Sequence, residues 1–122
     1  MTRETDEQRD KRIRREILTD AYTADEQAIS WCYHLEREMT FPFQARCIEE
    51  RTISPLREGE EVPVVEMTDE VVSSRELFAI VEWMDREFGV PLSQLEVLDV
   101  DQDTREAVDD WHYWNADGGG LG

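Results

Sequence analysis

Apolar residues recur along this 122-residue chain with two different periods, and the places where the period changes divide it into segments. Thr5-Asp6-Glu7-Gln8 has the pattern of a capping box, with Thr5 accepting from the third helical amide and Gln8 reaching back. It predicts a charged helix to about Leu18, with Ile13, Ile17 and Leu18 as a narrow apolar face. Thr23-Ala24-Asp25-Glu26 repeats the signal. Behind it Ala28, Trp31, Cys32, Leu35 and Met39 recur at steps of three and four, a strong amphipathic helix. It has to end near Thr40, because the residue before Pro42 is disfavoured in the helical region.

There the period falls to two. Phe41, Phe43, Ala45 and Cys47 alternate with Pro42, Gln44 and Arg46, which predicts a strand with one buried face. Ser54 to Gly59 reads as a loop. Val62, Val64, Val65 and Met67 make a second strand, with Pro63 marking an edge or a bulge. Leu77 to Met84 is a nearly continuous apolar run and reads as the central strand. Asp85-Arg86 then allows a reversal into Phe88-Gly89-Val90-Pro91. Pro91 to Leu95 looks like one helical turn, followed by a last strand at Val97-Leu98. Ala107, Val108, Trp111 and Trp114 return to helical steps, ended by Gly118-Gly119-Gly120. The expectation is one α+β domain over residues 1–122: two helices, a small five-stranded antiparallel sheet curled like a barrel, and a C-terminal helix. Residues 1–5 and 116–122 are expected to be disordered tails.

Charge narrows the function. Acidic residues outnumber basic ones 30 to 13, a net charge of −17, and Lys11 is the only lysine. Residues 1–20 carry six bases and six acids, so the remaining 102 residues hold the whole excess. A nucleic-acid binder needs a basic footprint to displace counterions, and an anionic membrane surface repels such a chain. No apolar run approaches the ~20 residues of a membrane span, and the N-terminus does not resemble a signal peptide. A cytoplasmic protein is expected. Cys32 and Cys47 fall on apolar faces and read as buried free thiols. Acid excess with almost no lysine is also what molar salt selects, since screening there removes self-repulsion. Any functional reading therefore depends on where particular carboxylates sit.

Residues 96–117 hold eight acids and one base. Asp99, Asp101 and Asp103 alternate, so in an extended segment they share one side, an arrangement suited to a hard cation that takes six to eight oxygens. The opening matches an EF-hand loop and Asp110 falls at its twelfth place. However, Thr104 stands where that loop needs glycine, and the helical rhythm has already begun by Ala107. A helix starting near Asp103 instead puts Asp103, Glu106 and Asp110 on one face. The plain alternative is that Asp101 or Asp103 caps the helix and the other acids are solvated at a favourable N-terminus. Glu36 and Glu38 flank Arg37 at the C-terminal end of the second helix, where carboxylates are unfavourable and call for a compensating cation, either Arg37 or a metal. His34 and His112 lack partners at zinc-ligand spacing. No nucleophile elbow, catalytic triad or phosphate loop is present, so no enzyme is expected.

From about Glu16 to Trp114 the chain resembles the small non-EF-hand calcium-binding proteins first known from cyanobacteria. The likeness is carried by Glu16-Ile17-Leu18, Asp20-Ala21-Tyr22, Glu26-Gln27-Ala28 with Trp31, and Phe41-Pro42-Phe43. It continues through Ser54-Pro55-Leu56, Val81-Glu82-Trp83, Pro91 to Glu96, and Asp110-Trp111-His112-Tyr113-Trp114. The resemblance implies Ca²⁺ as the ligand, bound through surface carboxylates in a buffering or signalling role without catalysis. Asp99, Asp101, Glu106 and Asp110 stand where such proteins tend to be acidic, and Asp103 matches as an acid. Arg37 departs from the pattern, which has an acid there. Either Glu38 substitutes, about 100° further round the helix, or a second site is weakened or lost. The candidate ligand set is Asp99, Asp101, Asp103, Glu106 and Asp110, with Glu36 and Glu38. The rival expectation is a metal-free module that grips a protein or peptide, with its acids reflecting only salt adaptation.

Overall fold

The computed structural model describes residues 5–68 and 77–117. In chain order it has helices α1 (Asp6–Glu16) and α2 (Ala24–Glu38), then strands β1 (Phe43–Cys47), β2 (Glu61–Met67), β3 (Phe78–Trp83) and β4 (Arg86–Pro91). A 3₁₀ turn (Leu92–Gln94), β5 (Leu95–Leu98) and α3 (Gln102–Asp117) follow. Both capping boxes are formed. Thr5 accepts from the Gln8 amide while the Gln8 side chain accepts from the Thr5 amide, and Thr23 and Glu26 do the same for α2. Each box satisfies two of the amides that a helix start leaves unpaired.

The first helix stops at Glu16, before the expected Leu18. Ile17 caps it, and Leu18 is buried from the turn beyond. Thr5, expected in the N-terminal tail, caps α1, and α3 extends through 116 and 117. The rest of the two expected tails, and the glycines expected to end the last helix, lie outside the described residues.

The five strands are all antiparallel, in the order β4-β3-β2-β1-β5. The sheet is open rather than barrel-like: β4 and β5 are its two edges and do not pair with each other. Helices α2 and α3 cover the inner face, so its apolar side chains are buried without closure of the sheet on itself. The middle strand is β2, not the run at Leu77–Met84. Pro63 therefore sits in an interior strand. The β2–β3 ladder starts at Val64, one residue later, so the missing N–H interrupts no pairing on that side. A register shift follows between Val64 and Glu66, the bulge that the proline signalled. The β3–β4 reversal is made by Met84 and Asp85, one residue earlier than expected. Both have positive φ (50° and 65°), as a tight hairpin turn requires.

The core joins the inner sheet face (Phe43, Ala45, Val62, Val64, Ala79, Val81, Val90) to the stripes of α2 and α3. At its centre Trp31, Trp111 and Trp114 are fully buried. The Trp31 ring lies 5.2 Å from Trp111 and 6.2 Å from Trp114. Cys32 and Cys47 are free and buried, as expected. Among the described residues no helix is long and apolar enough to cross a membrane.

Candidate metal centre

Three of the acids singled out above, Asp99, Asp101 and Asp103, lie at the junction between β5 and α3. The chain leaves β5 at Leu98 and turns at Asp99, whose φ of 47° is a left-handed conformation that aspartate tolerates. Asp101 caps α3. Its carbonyl accepts from the Arg105 amide at 3.1 Å, and its carboxylate accepts from the Thr104 hydroxyl. Thr104 is fully buried, and its Oγ1 also accepts from the Thr40 backbone amide at 2.9 Å. The residue that breaks the EF-hand pattern is thus the clasp that fastens the chain leaving α2 to the first turn of α3.

Asp99, Asp101 and Asp103 are all exposed. None is ion-paired to a base among the described residues. The helix start beside them favours negative charge.

Glu106 and Asp110 lie further along α3 and turn toward α1. Asp110 is only 1 % exposed. Arg12 grips it with two hydrogen bonds, Nη1 to Oδ2 at 2.9 Å and Nη2 to Oδ1 at 2.7 Å, and Arg9 Nε approaches to 3.3 Å. Glu106 is 3.8 Å from Arg12 and remains more than half exposed. Two further arginine contacts line the same seam: Arg9 lies over the Tyr113 ring at 6.0 Å and Arg14 over Trp114 at 5.0 Å. The single face expected for Asp103, Glu106 and Asp110 is therefore split, with Asp103 open to solvent and Asp110 locked against α1.

At the end of α2, Glu36 and Glu38 are half-buried. Arg37 Nη2 lies 3.5 Å from His34 Nδ1. Burial lowers the His34 pKa from its ordinary 6.5. The Glu38 carboxylate opposes the shift by attraction, and Arg37 adds to it by repulsion. His112 is engaged elsewhere: its Nε2 lies 2.7 Å from the Leu95 carbonyl, which can only accept, so that nitrogen carries the proton.

Among the described residues no three His, Cys, Asp or Glu side chains are already gathered as a metal site. The donors nonetheless suit a hard cation. They are all oxygens, and the exposed aspartates of the β5–α3 turn can rotate toward an ion without breaking an ion pair.

The spacing did not mark Thr104 and Arg12. A signal for Arg12 was present: Asp110 lies three residues after Ala107 and four before Trp114, on the apolar stripe itself. A buried acid there demands a base, and α1 presents Arg9 and Arg12 one turn apart.

The calcium-binding family model of CcbP matches residues 11–115. The crystal structure of Anabaena CcbP is 33 % identical, covers 93 % of each chain and superposes with a TM-score of 0.78. A calcium binding protein solved in its calcium-binding form is also 33 % identical, covering 97 % of this chain and 98 % of its own, with a TM-score of 0.81. No curated protein sequence is significantly similar to this chain. With the match running from α1 through most of α3, this chain belongs to the CcbP family of calcium-binding proteins.

Proposed function

We propose that this protein is a Ca²⁺ buffer or sensor that holds the ion with Asp99, Asp101 and Asp103 from the β5–α3 turn. Glu36 or Glu38 completes the shell from the end of α2. The observation that carries this reading is the Thr104 clasp, which ties the acidic start of α3 to the chain leaving α2, in a member of a calcium-binding family. The relative solved in its calcium-binding form supports the choice of ion. Glu106 joins the shell by swinging away from Arg12. Asp110 stays outside the shell and serves as the counter-charge that seats α1. The remaining acid excess is salt adaptation, and the role is non-catalytic and cytoplasmic, in keeping with two free, buried thiols.

Calorimetric titration of chelator-stripped protein with CaCl₂ tests the reading. Saturable heat is expected in the wild type, with most of it lost in Asp101→Asn/Asp103→Asn. Absence of heat at both low and molar KCl would refute calcium binding, and an unchanged titration of the double variant would refute these ligands. A buffer leaves the amide spectrum unchanged away from the site, whereas a sensor shifts resonances in the sheet as well.

A further inference from the structure

The outer face of the sheet, turned away from the helices, carries two neighbouring rows of side chains, one charged and one uncharged. In the first, Arg46 on β1 sits opposite Glu61 on β2 and Glu96 on β5. It reaches both, at 3.7 and 3.0 Å. In the second, two residues back along β1, Gln44 sits opposite Pro63 and Leu98.

Here a cleft of about 720 Å³ opens, within the range of roughly 300–1,000 Å³ that accepts small ligands. Its floor includes half-buried Pro63, Val65 and Leu98, and its rim carries exposed Glu82, Asp99 and Asp101. No basic side chain lines it. The Glu82 and Asp99 side chains make no hydrogen bond or ion pair among the described residues. Unneutralised carboxylates over a low-dielectric wall concentrate negative potential in the concavity. One row away Arg46 stands between two acids; the cleft has no base among its own lining residues.

We propose that this cleft docks a short basic segment of a partner protein, with apolar side chains seated on Pro63, Val65 and Leu98 and an arginine or lysine held by the rim acids. The proposal does not rest on the calcium reading, and because Asp99 and Asp101 serve in both, its test is run in excess chelator. The ¹⁵N-labelled protein is titrated with acetyl-Arg-Leu-Arg-Leu-Arg-amide and, at the same KCl concentration, with acetyl-Arg-Ser-Arg-Ser-Arg-amide. The leucine peptide is expected to bind at least about tenfold more tightly, with shifts concentrated around residues 42–44, 63–65, 82 and 98–101. Gln44→Arg supplies the missing cation internally and should weaken binding by a similar factor. Leu98→Glu should weaken it too, although it adds negative charge. If the Leu98 variant fails to fold, Gln44→Arg, at an exposed position, carries the test. Equal affinity for the two peptides would overturn the proposal. So would shifts spread over the whole acidic surface, or binding undiminished by Gln44→Arg.

Discussion

Arg12 on α1 and Asp110 on α3, 98 residues apart in sequence, form a bidentate pair whose carboxylate is almost wholly excluded from solvent. The pair fastens α1, whose buried residue is Ile13, to α3. Removing the acid takes from Arg12, only 19 % exposed, its two short hydrogen bonds to Asp110, and Glu106 lies farther off at 3.8 Å. Asp110→Ala should therefore cost about 3 kcal/mol in denaturant unfolding, because one partner of a buried charge pair is removed. Arg12→Met/Asp110→Leu should recover part of that loss, by the non-additivity expected of contacting partners. Calcium heat should persist in the double variant, since Asp110 is read as structural.

Thr104 is the polar residue that fastens the proposed site. Thr104→Val keeps the shape but removes both the acceptor for the Thr40 amide and the donor to Asp101. A stability loss of about 1–2 kcal/mol is expected in the same measurement. Calcium affinity should fall with it, because the two acidic segments are no longer tied together. Thr104→Ser should restore both.

His34 provides a pH signature. Its pKa is lowered in the fold, chiefly by burial, so as pH falls through 6.5 the unfolded chain takes up the proton first. The contribution to stability is complete above 6.5 and is lost as pH drops toward the folded value, so stability rises with pH across that window. An NMR titration of the ring should give a midpoint below 6.5. The stability difference between wild type and His34→Gln should move against the wild type between about pH 8 and about pH 5.

The hairpin joining β3 and β4 places Met84 and Asp85 in the left-handed region, with Met84 75 % exposed. Neither residue is the one the turn prefers. Met84→Asn/Asp85→Gly should raise stability by about 1 kcal/mol, read as a higher midpoint of denaturation with an unchanged slope.

Most of the helical architecture is legible in the sequence because its signals are local. Thr5 with Gln8, Thr23 with Glu26, and the stripe from Ala28 to Met39 each fix an element without reference to anything distant. The alternation from Phe43 to Cys47 does the same for β1. What the sequence does not disclose is pairing. Nothing near Pro63 says that β2 lies in the middle of the sheet, and nothing in five short strands says that the edges β4 and β5 stay apart. The candidate site divides the same way. The run Asp99–Asp103 is visible as a cluster, but the pairing of Asp110 with Arg12, 98 residues away, is not. The spacing of Thr104 marked it only as an unsuitable loop residue, because its value comes from Thr40, which only the fold brings near.

Where the calcium ion sits can be decided by an anomalous difference map from a crystal soaked in CaCl₂ at high KCl. A peak is expected about 2.3–2.6 Å from carboxylate oxygens of the Asp99–Asp103 segment, with an oxygen of Glu36 or Glu38 in the same shell and Asp110 still held by Arg12. A calcium peak elsewhere on the surface, or one seated at Asp110 with Arg12 displaced, would contradict the proposed site.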